Sequence, residues 1–336
     1  MNERKITLNM QKTPQTPIGS GFGPRTTAME ALGQADLTGQ TAVITGGHSG
    51  LGLETARVLA KAGAKVIVPA RSLSAAQAAI ASIPGAEAEL LDLTDPQSID
   101  SFAERLIRSG RPIHMLIHSA GIMAVPQQYD SRGNELHFST NYLGPFQLTA
   151  RLWPALRLAG GARVVVVSSR AHQFSPVVFE DIHYKERSYD KWSAYGQSKT
   201  ADALFAVELD RRAQAHGVRA FSVHPGSIVT SLARHLSDDE LMTMGAINGQ
   251  GQRQYTEYDS ERKTVQEGAA TIVWCAASRQ LDGMGGVYCE NVDVSPLIDE
   301  DQIGIAGVHP SAVDAKAAER LWSVGEALTG IHFDIS

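Results

Sequence analysis

Residues 163–167 read Arg-Val-Val-Val-Val, and this run limits the fold more than any other feature of the chain. A strand that is continuously apolar, without alternation, must be buried on both faces. Comparable short runs recur at 41–45, 65–68, 87–91, 113–117, 219–223 and 286–289. Between them lie segments with helical spacing of apolar residues, at 50–62, 73–82, 97–109, about 131–158, 189–216 and 264–277. Pro145 and Pro154 are the expected interruptions of the long fourth segment. Strands that alternate with helices predict an α/β fold, a single doubly wound parallel sheet with helices on both faces.

The chain ends read differently. Residues 1–24 are polar and rich in Pro and Gly, which predicts an extended or disordered, flexible arm. Thr26 or Thr27 can cap a short helix through Leu32, with Glu30 in its first turn and Gly33 placed to end it. Residues 25–298 are expected to form the one folded domain, with 231–264 a polar, irregular lid. Residues 299–336 are a C-terminal extension whose apolar positions, Val313, Ala317, Leu321, Val324 and Leu328, predict a docked helix over 313–328.

Composition narrows the function. The 336 residues carry 30 Lys+Arg and 36 Asp+Glu, a net charge of −6, which argues against nucleic-acid binding through overall charge. Two cysteines, Cys275 and Cys289, exclude a disulfide scaffold and a Cys-rich zinc module, and no metal-ligand spacing occurs. No apolar run reaches the roughly 18 residues of a membrane span. The first residues lack the apolar stretch of a signal peptide, so a cytoplasmic location is expected.

The first strand runs into Thr45-Gly46-Gly47-His48-Ser49-Gly50-Leu51-Gly52 and then a helix. Glycines let the backbone turn tightly and approach a pyrophosphate, while the helix N-terminus offers N–H groups and a positive dipole end. The spacing is Gly-x-x-x-Gly-x-Gly, in the strand-to-helix setting that a Rossmann dinucleotide site requires. An NAD site has a carboxylate about 20 residues past the glycines. Here Ala70, Arg71 and Ser72 end the second strand. A guanidinium suits a 2′-phosphate, so NADP(H) is expected over NAD(H). Asp92, after the third strand, could accept from an adenine amine or hold a turn, and the sequence leaves both readings open.

A second constellation carries chemistry. Tyr195 and Lys199 are four apart in a helical segment and share a face. A neighbouring ammonium favours the phenolate and suits the pair to general acid/base work. Ser168 and Ser169 follow the valine strand, at the carboxyl end where such sheets bind ligands. Asn141 lies in the long helix close to Pro145.

Taken together these residues resemble the short-chain dehydrogenase/reductase family. The matching segments are the Thr45–Gly52 turn, His118-Ser119-Ala120-Gly121, Asn141, the serine after the fifth strand, the Tyr195/Lys199 pair, and Pro225-Gly226 with Thr230, in the family's order over about residues 40–290. The chain is most similar to the retinol-dehydrogenase-like branch, and 26–39 resembles the lead-in to the catalytic domain of WW-domain-containing oxidoreductase. The resemblance implies that Tyr195 exchanges a proton with the substrate oxygen and that Ser169 hydrogen-bonds that oxygen. Lys199 would bind the nicotinamide ribose and depress the Tyr195 pKa, and Asn141 would hold a relay water. Gly46, Ser49, Gly50, Leu51 and Gly52 would line the pyrophosphate and Arg71 the 2′-phosphate. Asp92 and Leu93 would contact adenine, and Ser119, Ala120 and Gly121 would lie along the adenine-side ribose. Pro225, Gly226, Ile228 and Thr230 would cover the nicotinamide.

Two departures stand out. His118-Ser119 replaces the family's Asn-Asn, and His118 reads as a satisfied buried histidine. Ser49 stands where many NADP-dependent members carry a basic residue, so the cofactor assignment rests on Arg71. On the substrate side, 122–129, 171–192 and 231–263 should complete the crevice. His172, Phe174, Phe179, Tyr184, Trp192, Met242, Met244 and Tyr255 suggest a lipophilic alcohol or carbonyl. The expected function is an NADP(H)-dependent alcohol dehydrogenase or carbonyl reductase, with a small-molecule substrate and a possible homo-oligomer. The alternative is a cofactor-binding redox sensor or scaffold.

Overall fold

The computed structural model describes residues 12–335. Eight strands form one sheet, β1 (Thr41–Thr45), β2 (Lys65–Ala70), β3 (Glu87–Leu90), β4 (Met115–His118), β5 (Ala162–Val167), β6 (Val218–His224), β7 (Val287–Glu290) and β8 (Asp293–Val294). Their order is β3-β2-β1-β4-β5-β6-β7-β8. The first seven pair in parallel, and β8 adds a short antiparallel edge on β7. The seven predicted strands are these seven, and β8 was not predicted because two residues carry no periodicity. The helices are α1 (Ala28–Leu32), α2 (Gly50–Lys61), α3 (Leu73–Ile80), α4 (Pro96–Arg108), α5 (Leu136–Phe138), α6 (Gly144–Leu158), α7 (Lys191–Ala213), α8 (Asp238–Thr243), α9 (Val265–Gly268), α10 (Ala270–Ala277) and α11 (Ala315–Thr329).

Alternate residues of each strand feed two cores. Val43, Ile67, Leu116, Val164 and Val166 face α4, α6 and α7, with Phe146, Phe205 and Trp322. Ala42, Ile44, Val66, Ile117 and Val165 face α1, α2 and α10, with Trp274. This is why the central strands are apolar, while the edge strand β3, with Glu87 and Glu89, is not. β1 has β2 on one side and β4 on the other, so the order reverses there. The crevice beyond the carboxyl ends of β1 and β4 is where such sheets take ligands.

The predicted helix over 131–158 is three pieces. Between α5 and α6 the chain makes a π-helical turn, Ser139–Leu143, in which the Gly144 N–H reaches back to the Ser139 carbonyl. Pro145 has no N–H to give the Asn141 carbonyl, so an ordinary α-turn would lack a bond there. Gly144 also admits the chain after β3, since a Cβ would lie 2.5 Å from the Leu93 carbonyl oxygen. Pro154, expected to interrupt, sits inside α6, which continues to Leu158.

Thr27 caps α1 in a reciprocal capping box with Glu30, as its sequence predicts. Ahead of it, residues 12–24 form neither helix nor strand and are tied to the sheet edge. Gln15 pairs with the Tyr288 N–H and carbonyl and with the Ser295 carbonyl. Asp293 accepts the N–H groups of Ile18, Gly19 and Ser20. Residues 1–11 of the expected arm lie outside the described residues.

The segment 231–264 is less irregular than its polarity suggests. It holds a 3₁₀ turn, Ser231–His235, and α8, which Ser237 and Glu240 cap reciprocally. Ala233, Leu236, Leu241, Ala246 and Tyr255 form a small cluster of their own with Ala124, backed by Met123 and Trp192. The tail helix α11 is capped by Asp314 and ended by Gly330 at φ 70°. Trp322 stacks on Phe333 at 4.8 Å and meets Phe146 edge-on, and the Tyr142 hydroxyl donates to the Leu321 carbonyl at 2.8 Å. Among the described residues no helix is long and apolar enough to cross a membrane, and no cluster of three or more His, Cys, Asp or Glu side chains could hold a metal.

Candidate active site

The carboxyl ends of β1, β2, β4, β5 and β6 open into one cavity of about 1170 Å³. Its floor is the glycine turn. Gly46 has φ 70°, and a Cβ there would sit 2.9 Å from the Ala120 N. The turn and the chain after β4 therefore touch backbone to backbone, and the Thr45 hydroxyl accepts the Ala120 N–H. At Gly52 a Cβ would lie 2.4 Å from the Gly46 carbonyl oxygen. Ser49 is the N-cap of α2 but makes no side-chain cap bond, so it leaves the first turn open toward the cavity. Leu51 and Gly50 line the same floor, and Gly50 faces the Thr230 side chain.

At one end of the cavity lie Arg71 and Ser72, with His48 beside them. Arg71 is exposed and forms no ion pair with a carboxylate among the described residues. The Nδ1 atom of His48 is buried without a partner, and burial and Arg71 hold its pKa below the usual range. Asp92 and Leu93 form one wall. One Asp92 oxygen accepts the Thr94 N–H and hydroxyl at 2.9 and 2.8 Å. The turn role is thus occupied, while the residue still lines the cavity. Ser119, Ala120 and Gly121 form the next stretch, and Pro225, Gly226, Ile228 and Thr230 the far side.

The other end of the cavity is assembled by α7 and the loop after β5. The first serine, Ser168, is buried and donates to the Lys199 carbonyl at 2.7 Å. The second, Ser169, lines the cavity, and its oxygen caps the 3₁₀ turn Arg170–Phe174 through the Ala171 N–H. Its own proton is left for another acceptor. That loop lies on α7 because residue 196 is glycine, where a Cβ would come 2.6 Å from the Ala171 carbonyl oxygen. Tyr195 and Lys199 line the same cavity, with the Lys199 Nζ 5.7 Å from the Tyr195 ring centre.

Lys199 is buried. Nζ donates to the Val167 carbonyl at 2.9 Å and to Asp202 Oδ2 at 2.7 Å. Burial works against the ammonium, but Asp202 and Tyr195 together outweigh it and raise the Lys199 pKa. Asn141 does not line the cavity. It stands behind it in the π-helical turn, where Oδ1 accepts the Ile122 N–H and Nδ2 donates to the Ile122 carbonyl and to Ser198 Oγ.

Other candidates fall into supporting places. His118 Nε2 donates to Thr149 Oγ1, whose proton goes to the Pro145 carbonyl, and burial brings the His118 pKa down to about 3. His172 Nδ1 donates to the Ser169 carbonyl and its Nε2 accepts the His309 N–H, so it shapes the loop. Phe174, Trp192, Met244 and Tyr255 line the cavity, joined by Met123, Leu241 and Ile303. Phe179, Tyr184, Met242 and His172 do not. Asp202 and His48 escaped the sequence reading. An acid three residues past Lys199 was the available signal for Asp202.

A family model described as short chain dehydrogenase matches residues 40–241. The chain belongs to the short-chain dehydrogenase/reductase family. It is 45% identical over 297 residues to a "Probable oxidoreductase" of Streptomyces lividans, covering 86% of this chain and 97% of that one. It is 35% identical over 307 residues to Retinol dehydrogenase 12 of Homo sapiens, covering 89% of each. It is 34% identical over 302 residues to the WW domain-containing oxidoreductase of Gallus gallus, covering 85% of this chain and 70% of that one. These relatives support the retinol-dehydrogenase-like branch, and the family binds NAD(P) and carries out oxidoreduction.

Proposed function

We propose that this short-chain dehydrogenase/reductase is an NADP(H)-dependent enzyme that interconverts an alcohol and a ketone or aldehyde on a lipophilic small molecule. The observation that carries this reading is that Ser169, Tyr195 and Lys199 face the same cavity as the open glycine turn and Arg71. A sensor or scaffold needs only the latter two.

The cradle fits a dinucleotide. Side chains at Gly46 and Gly52 would strike the backbone of Ala120 and of Gly46, so glycine keeps the turn tight enough for a pyrophosphate to approach its N–H groups. Ser49 leaves the α2 N-terminus to an anion. Arg71 pairs with no carboxylate among the described residues and suits a 2′-phosphate. Bound there, the cofactor would supply or accept a hydride.

The chain's own residues handle the proton. In reduction, the Ser169 hydroxyl and the Tyr195 phenol donate to the substrate oxygen, and Tyr195 gives up its proton as that oxygen gains charge. The Lys199 ammonium stabilises the phenolate left behind. Asn141 fixes Ile122 through both backbone groups, and its own carbonyl cannot receive the usual bond from Pro145. A carbonyl released in this way supports a water relay between Lys199 and solvent. Met123, Trp192, Leu241, Met244 and Ile303 form an apolar wall for the rest of the substrate.

The test is consumption of NADPH and NADH with a panel of aliphatic and isoprenoid aldehydes and ketones. The expected result is turnover with lipophilic carbonyls and NADPH ahead of NADH. No turnover with any carbonyl, in protein that binds NADPH, would remove the enzymatic reading.

A further inference from the structure

The Tyr195–Lys199 pair has a third member on the same helix. Asp202 lies one turn beyond Lys199, buried, with Oδ2 2.7 Å from Nζ. Its other oxygen, Oδ1, is buried with no hydrogen-bond partner. Lys199 is thus the only bonded partner of this carboxyl group among the described residues. A buried carboxylate with one half unsatisfied is costly to the fold, so its presence calls for a reason in the site.

We propose that Asp202 is a positioning residue that aims the Lys199 ammonium and sets the charge felt by Tyr195. An ammonium has three donors. The Val167 carbonyl takes one and Asp202 a second, which leaves a single N–H for the cavity. Held at two points, Nζ cannot swing away from Tyr195. The carboxylate also offsets part of the positive charge that Lys199 presents to the Tyr195 hydroxyl, so it weakens the field of the ammonium there.

The groups that face Asp202 are few. On α7 they are Lys199 and, two turns back, Tyr195. From the π-helical turn comes Tyr142, whose phenol feels the Asp202 charge. Tyr142 stays neutral, because burial holds its pKa well above the usual value, and its proton goes to the Leu321 carbonyl. Burial pushes the Asp202 carboxyl up to about 7, while Lys199 pulls the other way.

This inference rests on Tyr195 being the acid/base, and Asp202→Asn tests it. The amide keeps an acceptor for Lys199 and removes the charge. Two helical turns put about 10 Å between Asp202 and Tyr195, and at an effective dielectric near 20 one charge at that distance moves a pKa by about one unit. In alcohol oxidation the rise of kcat/KM with pH should shift about one unit lower in Asp202→Asn. Asp202→Glu keeps the charge and should leave that limb close to wild type. An unmoved limb in folded Asp202→Asn, or the same shift in Asp202→Glu, would overturn the proposal. If Asp202→Asn does not fold, infrared difference spectra of the wild-type protein decide. A carboxylate ionised in the pH range where activity rises supports the proposal, and a carboxyl group still protonated there overturns it. The parent reading fails separately, if Tyr195→Phe keeps full activity. Inactive Tyr195→Phe with an unmoved Asp202→Asn limb sinks only the role of Asp202.

Discussion

Ser168 and Ser169 are adjacent, chemically identical and folded into different work, so replacing each by alanine separates chemistry from scaffolding. In Ser168→Ala the loss is one buried hydrogen bond to the Lys199 carbonyl. That carbonyl lies inside α7 and keeps its helical partner, so it is not stranded. The cost should be close to the net worth of one hydrogen bond, about 1 kcal/mol of stability. Turnover per folded molecule should change by less than about threefold, since 0.6 kcal/mol is roughly that factor. Ser169→Ala removes a cap bond to Ala171 and should cost about 0.5–1 kcal/mol of stability. On the proposed reading it also removes the donor to the substrate oxygen, worth roughly 10²–10³ in kcat. The assay is kcat and kcat/KM with the best carbonyl of the panel, beside urea midpoints for each variant. Equal losses of turnover in the two variants, or the larger loss in Ser168→Ala, would refute the assignment of Ser169 to the substrate.

Arg71→Ala should weaken NADPH binding by about 1.5–3 kcal/mol, the scale of hydrogen bonds to a charged group, and leave NADH nearly unchanged; equal loss for both cofactors in titrations would remove Arg71 from 2′-phosphate recognition. Burial holds His118 and His172 neutral, each pushed down to about 3 from an ordinary 6.5. The unfolded chain then takes up these protons first, so their contribution is complete above pH 6.5 and is lost as pH falls toward 3. Each adds a slope of up to about 1.4 kcal/mol per pH unit, and urea midpoints that stay flat below neutrality would contradict this. Gly325→Ala places a Cβ 2.5 Å from the Tyr142 hydroxyl and 3.2 Å from the Phe146 ring. It should destabilise by about 1–3 kcal/mol through overpacking, visible as a lower melting temperature, with unchanged turnover per folded molecule.

The central strands were legible because burial on both faces leaves them apolar, as in the Val164–Val167 run, whereas the edge strand β3 carries Glu87 and Glu89. The glycine turn and the Tyr195/Lys199 spacing were legible because the local backbone alone sets their geometry. What escaped depends on contacts across the fold. The π-helical turn at Ser139–Leu143 needs the missing N–H of Pro145 and the close approach of Leu93 to Gly144. The cluster inside 231–264 joins Ala233, Leu236 and Tyr255, which no period connects. Gln15 reads as part of a polar arm, yet it bonds to Tyr288 in β7, and Asp293 in β8 holds the N–H groups of Ile18, Gly19 and Ser20. Asp202 reads as one more charge on a helix until Lys199 and its own burial are seen together.

The central claim is that Tyr195 moves the proton in hydride transfer at this cavity. Single-turnover oxidation of bound NADPH by a lipophilic carbonyl, in wild type and Tyr195→Phe, tests it most directly. The account predicts NADPH affinity within about a factor of two and a transfer rate about 10²–10⁴-fold lower in the variant, the range for a lost general acid. A transfer rate in Tyr195→Phe equal to wild type, with cofactor bound, would contradict it.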